Sequence, residues 1–453
     1  MYDHSEINYK SKKNIRDNSE VYTPMIIVDA MLDGLPSTIW TEDYIFIEPT
    51  CGNGNFLVQM AKKMLLSNVN IDEIISKLIG LDISDSNIID CKTRLSKLLN
   101  VPALRFNETI VKVDDSLEIL ADKSSFLYSK ISNKKIVVVG NPPYSKPHAD
   151  KGNVYDTIYN LFVQSIIDNI NPDYFTFIIP SKWMIGGKGL DEFREYMMKK
   201  HTIKEIHHFG GKKEVFPDVE IPCGVNYFLI EKNYDGPCEM TSSGISKSRY
   251  LDKYDIILID NNAVNILEKV IPLINSATKL CQSISIFGLP TNFNNFTTTG
   301  LKCLCKGTGY NEKTYKYVDP SSIKDKKKLV GKWKVCTATV NGGARNEANY
   351  GTKRIFGDII ILEPDEVSTY TFIIVACFDT KEEAENYVKY MKTKFYRFML
   401  GLRAITPILN KEKFIWVPDM GNYTIEYTDQ YLYNKYNLTQ DEINYIESKI
   451  EII

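Results

Sequence analysis

Two short stretches carry residue types that can do chemistry. Asn141, Pro142, Pro143 and Tyr144 follow directly on the apolar run Val137-Val138-Val139-Gly140. Two prolines cannot donate to a sheet ladder, so a strand must stop there, in a stiff turn bearing an amide and an aromatic ring. Asn141 Oδ1 and the Pro142 carbonyl can each accept an N–H bond, while Tyr144 offers a face for stacking a planar ring. Such a pair of acceptors can draw the exocyclic amine of a nucleobase toward a tetrahedral form and free its lone pair for attack. Without a second motif, the same four residues would read as a strand-ending turn.

The second motif is Glu48-Pro49-Thr50-Cys51-Gly52-Asn53-Gly54-Asn55-Phe56, which follows the apolar strand Tyr44-Ile45-Phe46-Ile47. Gly52 and Gly54 let backbone approach a ligand at the carboxyl end of a strand, where open α/β sheets bind their ligands. A dinucleotide loop would need glycine at position 57, which is Leu57, and no G-x-x-x-x-G-K-[ST] phosphate loop occurs. Acids at the ends of successive strands favour another ligand: Glu48 for an amine, Asp82 for ribose hydroxyls and Asp115 for an adenine amino group. Each acid alone reads as a loop capper. Together they fit a ligand with an ammonium, a ribose and an adenine, which is S-adenosylmethionine.

The order Val21-Tyr22-Thr23-Pro24, then Glu48 to Phe56, then Asn141 to Tyr144 resembles the gamma class of DNA adenine-N6 methyltransferases, of type II restriction-modification or orphan modification systems. The resemblance covers roughly residues 20 to 232. It implies a class I S-adenosylmethionine-dependent methyltransferase fold, with a seven-stranded mixed sheet and helices on both faces. Tyr22, Thr23 and Pro24 would open a helix over the methionine end of the donor. Glu48, Thr50, Gly52, Gly54, Asn55, Phe56, Asp82, Ile83, Asp115, Ser116 and Asn141 would complete the donor site. Asn141, Pro142, Pro143 and Tyr144 would hold an adenine flipped from duplex DNA, with Phe216 on its other face. Ser116 departs from members that place an aromatic at that point. The resemblance also implies a carboxyl-terminal α+β target-recognition domain, double-stranded DNA as partner, and a cognate restriction endonuclease that acts separately.

The elements that must position these residues are legible as an α/β alternation. Strands are expected at 44 to 48, 79 to 83, 109 to 114, 135 to 141, 174 to 180, 203 to 210 and 225 to 232, the last pair antiparallel. Asn233-Tyr234-Asp235-Gly236-Pro237-Cys238 reads as a linker, giving a catalytic domain at 1–235 and a recognition domain at 236–453. Thr380 and Glu383 form a capping-box pattern for a helix running to Gly401, with Lys392, Lys394, Arg397 and Arg403 outside its apolar stripe.

The net charge of −2 hides an excess of eight positive charges over 301–360, thirteen Lys or Arg against five acids. Tyr310, Tyr315, Tyr317, Trp333 and Tyr350 are interleaved there, as on nucleic-acid surfaces, so Lys327, Lys328, Lys332, Arg345, Lys353 and Arg354 are expected to contact DNA. A solvated face is the plainer reading of such a run.

At 453 residues with 43% hydrophobic and 25% charged content, the chain should bury sizeable cores in two domains or three. It has no apolar run of membrane-spanning length and a polar amino terminus, so a cytoplasmic, membrane-free protein is expected. Nine scattered cysteines lack zinc spacing, so thiols are expected and no metal. Pro364-Asp365-Glu366 lacks the E-x-K that would complete a nuclease site. Cytosine-C5 chemistry needs a nucleophilic cysteine, and the pairs Pro222-Cys223 and Pro237-Cys238 come after the Asn-Pro-Pro-Tyr turn. The same turn also serves methyltransferases for RNA bases or protein glutamine, which is the alternative substrate class.

Overall fold

A computed structural model of the chain describes residues 21–147, 155–187, 189–199, 202–210, 215–217, 219, 221, 223–307, 312–340, 355–405 and 408–451. The chain divides into two compact units, Met1–Asn261 and Asn262–Ile453.

In the first unit the strands are β1 (Tyr44–Glu48), β2 (Leu78–Asp82), β3 (Ile110–Lys112), β4 (Lys135–Gly140), β5 (Ser145–Pro147), β6 (Tyr155–Thr157), β7 (Tyr174–Pro180), β8 (Ile203–Phe209), β9 (Val225–Glu231), β10 (Cys238–Ser242) and β11 (Ile245–Arg249). β5 and β6 form a separate hairpin, and the other nine make one sheet in the order β11-β10-β8-β9-β7-β4-β1-β2-β3. All seven expected strands are present, and β9 runs antiparallel to both β7 and β8.

Every residue of β1 and β2 is buried, so these strands show no polar alternation. Their side chains still alternate between two cores. Ile45 and Ile47 of β1 and Val138 of β4 enter one apolar cluster, while Phe46, Val137 and Val139 enter the other. The second cluster is closed by α1 (Met25–Asp33), α2 (Asn55–Leu66), α3 (Ile71–Lys77) and α4 (Asp85–Leu99), through residues such as Met31, Met60, Ile74 and Leu95. The first is closed by α5 (Ser116–Ala121), α6 (Phe126–Ile131), α7 (Tyr159–Ser165) and α8 (Asp191–Lys199), through Leu120, Leu127, Phe162 and Phe193. A layer of helices therefore covers each face, as expected.

The sheet is wider than the seven strands read from the sequence, and the boundary moves with it. The stretch expected to be a linker is a turn, closed by a bond of 2.6 Å from Tyr234 Oη to the Pro237 carbonyl. The chain then returns to pair β10 parallel with β8, Glu239 opposite Glu205 through Ser242 opposite His208, and β11 folds back on β10. The first unit consequently runs to Asn261 rather than to residue 235.

The second unit mixes short strands and helices. It contains β12 (Asn275–Ser276), β13 (Leu301–Lys306), β14 (Lys313–Val318), β15 (Trp333–Ala338), β16 (Ile359–Leu362), β17 (Glu366–Ser368), β18 (Phe372–Phe378) and β19 (Pro418–Asp419). Two three-stranded sheets, β14-β13-β17 and β16-β15-β18, pack around Leu304, Val318, Cys336 and Ile374. The helices are α9 (Ala263–Val270), α10 (Lys381–Lys392), α11 (Lys394–Gly401), α12 (Asp429–Lys435) and α13 (Gln440–Lys449).

The Thr380–Glu383 capping box is present, but the expected single helix breaks at Thr393. Thr393 Oγ1 accepts from the Tyr396 N–H at 3.2 Å and donates to the Tyr390 carbonyl at 2.7 Å, so one hydroxyl ends α10 and starts α11. The break turns Arg397 inward. It is 2% exposed, with Nε directed to the carbonyls of Lys392 and Thr393 and Nη1 donating to the Glu451 carbonyl at 2.6 Å. Arg403 is also buried, with its guanidinium 4.7 Å from the centre of the Trp416 ring. Neither arginine is the outward-facing cation that the apolar stripe suggests. Lys394 pairs with Glu447.

Among the described residues no helix is long and apolar enough to cross a membrane. Thr393→Val keeps the shape of the side chain and removes both hydrogen bonds. It should lower the unfolding free energy by about 1 kcal/mol, measured by urea unfolding followed by far-ultraviolet circular dichroism.

Candidate active site

Strand order reverses beside β1, since the chain crosses from β3, two places to one side, to β4 on the other. At such a switch point the loops leaving adjacent strands diverge and open a crevice. Here the loop after β1 and the turn after β4 face a cavity of about 340 Å³. Val21, Tyr22 and Thr23 form another part of its wall, and Asp82, Ile83, Asp115 and Ser116 close it.

The glycine loop is shaped from below. The Gly52 N–H donates to Asp82 Oδ2 at 2.8 Å, and the Cys51 N–H to the Leu81 carbonyl at 2.8 Å. Gly54, at φ +85°, has a left-handed backbone, and a Cβ there would stand 2.5 Å from Cys91 Sγ of α4. Conformation and space both demand glycine at 54. Asp82 also accepts from the Ser84 N–H at 2.9 Å and from Asn87 Nδ2 at 3.0 Å, so the acid expected to meet ribose hydroxyls is first the anchor of the loop. Its carboxylate keeps lone pairs for a ligand. Ile83, next to it on the cavity wall, is 60% exposed. Asp115 Oδ1 caps α5 through the Leu117 N–H at 2.8 Å, and Asp115 is exposed at the cavity.

Glu48 differs from the other two acids. It is 3% exposed, and Oε2 has no hydrogen-bond partner within the protein. Burial, and then the nearby Cys91 thiol, hold its carboxyl well above the usual range, against the opposing Leu57 N–H. A cation docking beside such an acid lowers its pKa again.

Asn141 has one fixed orientation. Nδ2 donates to the Val21 carbonyl at 2.9 Å, and turning the amide over would set oxygen against oxygen. Oδ1 is therefore the end left over, buried and without a partner. The Asn141 carbonyl accepts from Thr50 Oγ1 at 3.3 Å. Pro142, Pro143 and Tyr144 line the same cavity. The Tyr144 ring meets Tyr159 of α7 edge-on, centres 6.3 Å apart, and burial raises both phenols. Thr23 Oγ1, Asn53 Oδ1, Ser116 Oγ and Tyr144 Oη, all from residues lining the cavity, likewise have no partner within the protein. Buried polar atoms without partners are costly, and their gathering around one cavity suits a polar ligand.

Most sequence-predicted residues thus meet at one cavity, including Asn55 and Phe56. Three do not reach it. Pro24 is buried at the start of α1, and Gly54 lies beneath the loop. Phe216, expected to cover one face of the target base, is 4% exposed within the core beside α1 to α4. Val215 is buried in the same cluster, so the pair serves that core as an apolar plug. Sequence reasoning passed over Asn87, which accepts from Tyr22 Oη at 3.4 Å as it donates to Asp82. It also passed over Arg94, whose Nη1 donates to the Asn53 carbonyl at 2.8 Å and to Asn55 Oδ1 at 2.7 Å. A polar residue in the first turn of α4, behind the Ser84 cap, was the available sign for Asn87.

In the second unit the basic stretch is less free than its count suggests. Lys302 pairs with Glu366, Lys313 with Asp358 and Lys332 with Asp379. Lys334 is buried and donates to the carbonyls of Leu329, Lys332, Glu363 and Pro364. Arg345, Lys353, Arg354, Tyr310 and Tyr350 lie outside the described residues. What stands out is the turn Lys324 to Lys328. Asp325 folds back onto the N–H groups of Leu329 and Val330, leaving Lys324, Lys326, Lys327 and Lys328 exposed, with Lys327 also donating to Gln282 Oε1 at 2.8 Å.

Residues 55–216 match the Eco57I restriction-modification methylase family model. Over 103 residues the chain is 40% identical to an uncharacterized adenine-specific methylase of Mycoplasma pneumoniae, a match spanning 22% of this chain and 24% of that relative. The chain thus covers about a quarter of the length of that curated relative. The solved structure of the Type IIL restriction-modification enzyme MmeI in complex with DNA aligns over 90% of this chain and 68% of its own, at 12% identity and a TM-score of 0.50. At that identity the likeness is one of fold, and the fold is the class I methyltransferase architecture.

Gly54→Ala forces a side chain into a left-handed backbone and onto Cys91. It should destabilise the chain by roughly 2 kcal/mol or more, read from the thermal unfolding midpoint, whereas Gly421→Ala, with open space around it at φ +74°, shows the cost of the backbone term alone.

Proposed function

We propose that this chain, built around an Eco57I restriction-modification methylase domain at residues 55–216, methylates the N6 amine of adenine in duplex DNA at a specific site, using S-adenosylmethionine. The observation that carries the reading is Asn141 Oδ1, a buried acceptor with no partner in a cavity that also holds the buried acid Glu48. S-adenosylmethionine, when bound, supplies an electrophilic methyl group. The chain's own residues do the rest. Glu48 receives the ammonium of the methionine moiety, Asp82 offers its remaining lone pairs to ribose, and Ile83 with Asp115 and Ser116 takes the adenine end. Asn141 Oδ1 and the Pro142 carbonyl accept the two N–H bonds of the target amine, which withdraws its lone pair from conjugation. Tyr144 stacks on the base. A base inside the duplex cannot reach such a cavity, so the substrate has to be flipped out.

The second unit, Asn262–Ile453, serves in this reading as the target-recognition part. Its exposed Lys324, Lys326, Lys327 and Lys328 contact phosphates, which fix register without reading sequence. The methyl mark would shield the recognised site from a restriction endonuclease acting separately.

Asn141→Ala should lower turnover on the order of 10²–10³-fold, as loss of a transition-state hydrogen bond does, with donor affinity kept within a few fold. Modified-base sequencing of DNA from a methylation-free bacterial host tests this directly. N6-methyladenine at one recurring word, absent with the variant, supports the reading. No mark from a wild type that binds S-adenosylmethionine moves the substrate to RNA or protein glutamine.

The buried acid yields a second expectation. Burial raises the Glu48 pKa in the free chain, and an ammonium docking beside it would lower that pKa again. Binding of S-adenosylmethionine should therefore release a proton and tighten as pH rises toward the raised pKa. Titration calorimetry in buffers of different ionisation enthalpy measures that release, and Glu48→Gln should abolish it.

A further inference from the structure

Asn141 presents Oδ1 to a ligand only because its other end is held, and the holder is the carbonyl of Val21. The strap Val21-Tyr22-Thr23 is irregular backbone ahead of α1 and needs holding in turn. Its carbonyl at Thr23 accepts from Asn55 Nδ2 at 2.9 Å. That amide also has a fixed orientation, because its Oδ1 accepts from Arg94 Nη1 at 2.7 Å. The same Nη1 donates to the Asn53 carbonyl at 2.8 Å. A guanidinium can only donate, so it cannot accommodate a turned-over Asn55 amide. With Asn55 turned over, oxygen would face the Thr23 carbonyl, and the strap would lose that bond and keep its Tyr22 bond to Asn87 and its packing.

We infer that Arg94 is a positioning residue for the reacting amide, acting through Asn55 and the strap Val21 to Thr23 to hold Asn141 Oδ1 where a target amine must meet it. The inference rests on the reading of Asn141 as the amine acceptor. Arg94 is not among the residues lining the cavity. The bonds form a polarity relay. A group that can only donate orients one amide, that amide holds the strap, and a carbonyl on the strap orients the second amide. Glu48 and Asp82 make none of the relay's hydrogen bonds, although Asp82 reaches Tyr22 through Asn87 and the Arg94 charge acts on Glu48, so donor affinity should fall, but less than turnover does. A plain bracing role for Arg94, fastening α4 to α2, would change stability alone.

The experiment compares the full-length wild type with Arg94→Met, Arg94→Lys and Asn55→Ala. Three quantities are read: turnover on DNA, affinity for S-adenosylmethionine by calorimetry, and backbone hydrogen exchange. For Arg94→Met, turnover should fall on the order of 10²-fold, the loss expected from a displacement of about 1 Å. Donor affinity should change by less than about fivefold, since the acids remain. Exchange at the end of the strap, read at Ile27 and Val28, whose N–H groups donate to the Pro24 carbonyl, should rise by about tenfold or more while that of β4 and β7 stays unchanged, a local rather than global opening. Arg94→Lys, which restores one donor, should recover part of the turnover. Asn55→Ala should reproduce the strap exchange, and it carries the test if Arg94→Met does not fold.

Wild-type turnover in Arg94→Met would overturn the inference, as would strap exchange equal to wild type or exchange accelerated evenly through the sheet. If the wild type leaves no mark on DNA, the functional reading fails by itself. The exchange and donor-binding measurements then still decide whether Arg94 holds the strap.

Discussion

The parallel pairing of β1 with β4 is the constraint on which the site depends. Its register sets Tyr44 opposite Lys135 and Ile47 opposite Val138, so the two strands end almost level. The chain leaves β1 through Glu48 and the glycine loop, and β4 through Gly140 into Asn141. Glu48, proposed for the ammonium, and Asn141, proposed for the target amine, thus emerge side by side, although they are far apart in sequence. Gly140 makes room for this. A Cβ there would stand 3.2 Å from the Phe177 ring and 3.5 Å from Glu48 Cγ. A register slip of one residue would reverse every side chain of β4 between the two cores.

The sequence made much of this legible, for a physical reason. Strands buried on both faces are continuous apolar runs, and the residues that end them are glycines, prolines and acids, whose local preferences are strong. β1, β4, β7 and the capping box at Thr380 follow from information within a few residues of each. What escaped was decided by distant partners. Glu239-Met240-Thr241 has no pattern that announces a strand; it becomes one because β8 offers an unpaired edge. Arg397 looks like a surface cation until the hydroxyl of Thr393 breaks the helix and carbonyls from elsewhere receive it. Phe216 carried a motif resemblance, but its burial was settled by the core around it. The candidate site divides in the same way. The groups that would meet ligand were visible as motifs, while those holding them in place, Asn87 and Arg94, were visible only in three dimensions.

Electrostatically the two units use polar groups in opposite ways. In the first, polar atoms at the cavity wall go unsatisfied, a cost that the well-filled layers on either side of the sheet can absorb. In the second, several cations are satisfied, by acids for Lys302, Lys313 and Lys332 and by backbone carbonyls for Lys334. A count of charges in a stretch therefore overstates the field it presents. The turn at Lys324 to Lys328 keeps its charges outward because its one acid is occupied by the backbone.

The two strands beyond β8 have a consequence for the company the molecule keeps in a crowded solution. An open sheet always has edges, and an edge of flat, apolar backbone is a template on which another chain can polymerise. Without β10 and β11 that edge would be β8, with Ile203 and Ile206 in its run. With them it is β11, a five-residue strand whose sequence is Ile245-Ser246-Lys247-Ser248-Arg249. A foreign strand laid there would gain only a short ladder of bonds beside the exposed Ser246 and Ser248. The added hairpin thus acts as a guard against aggregation at one margin of the sheet.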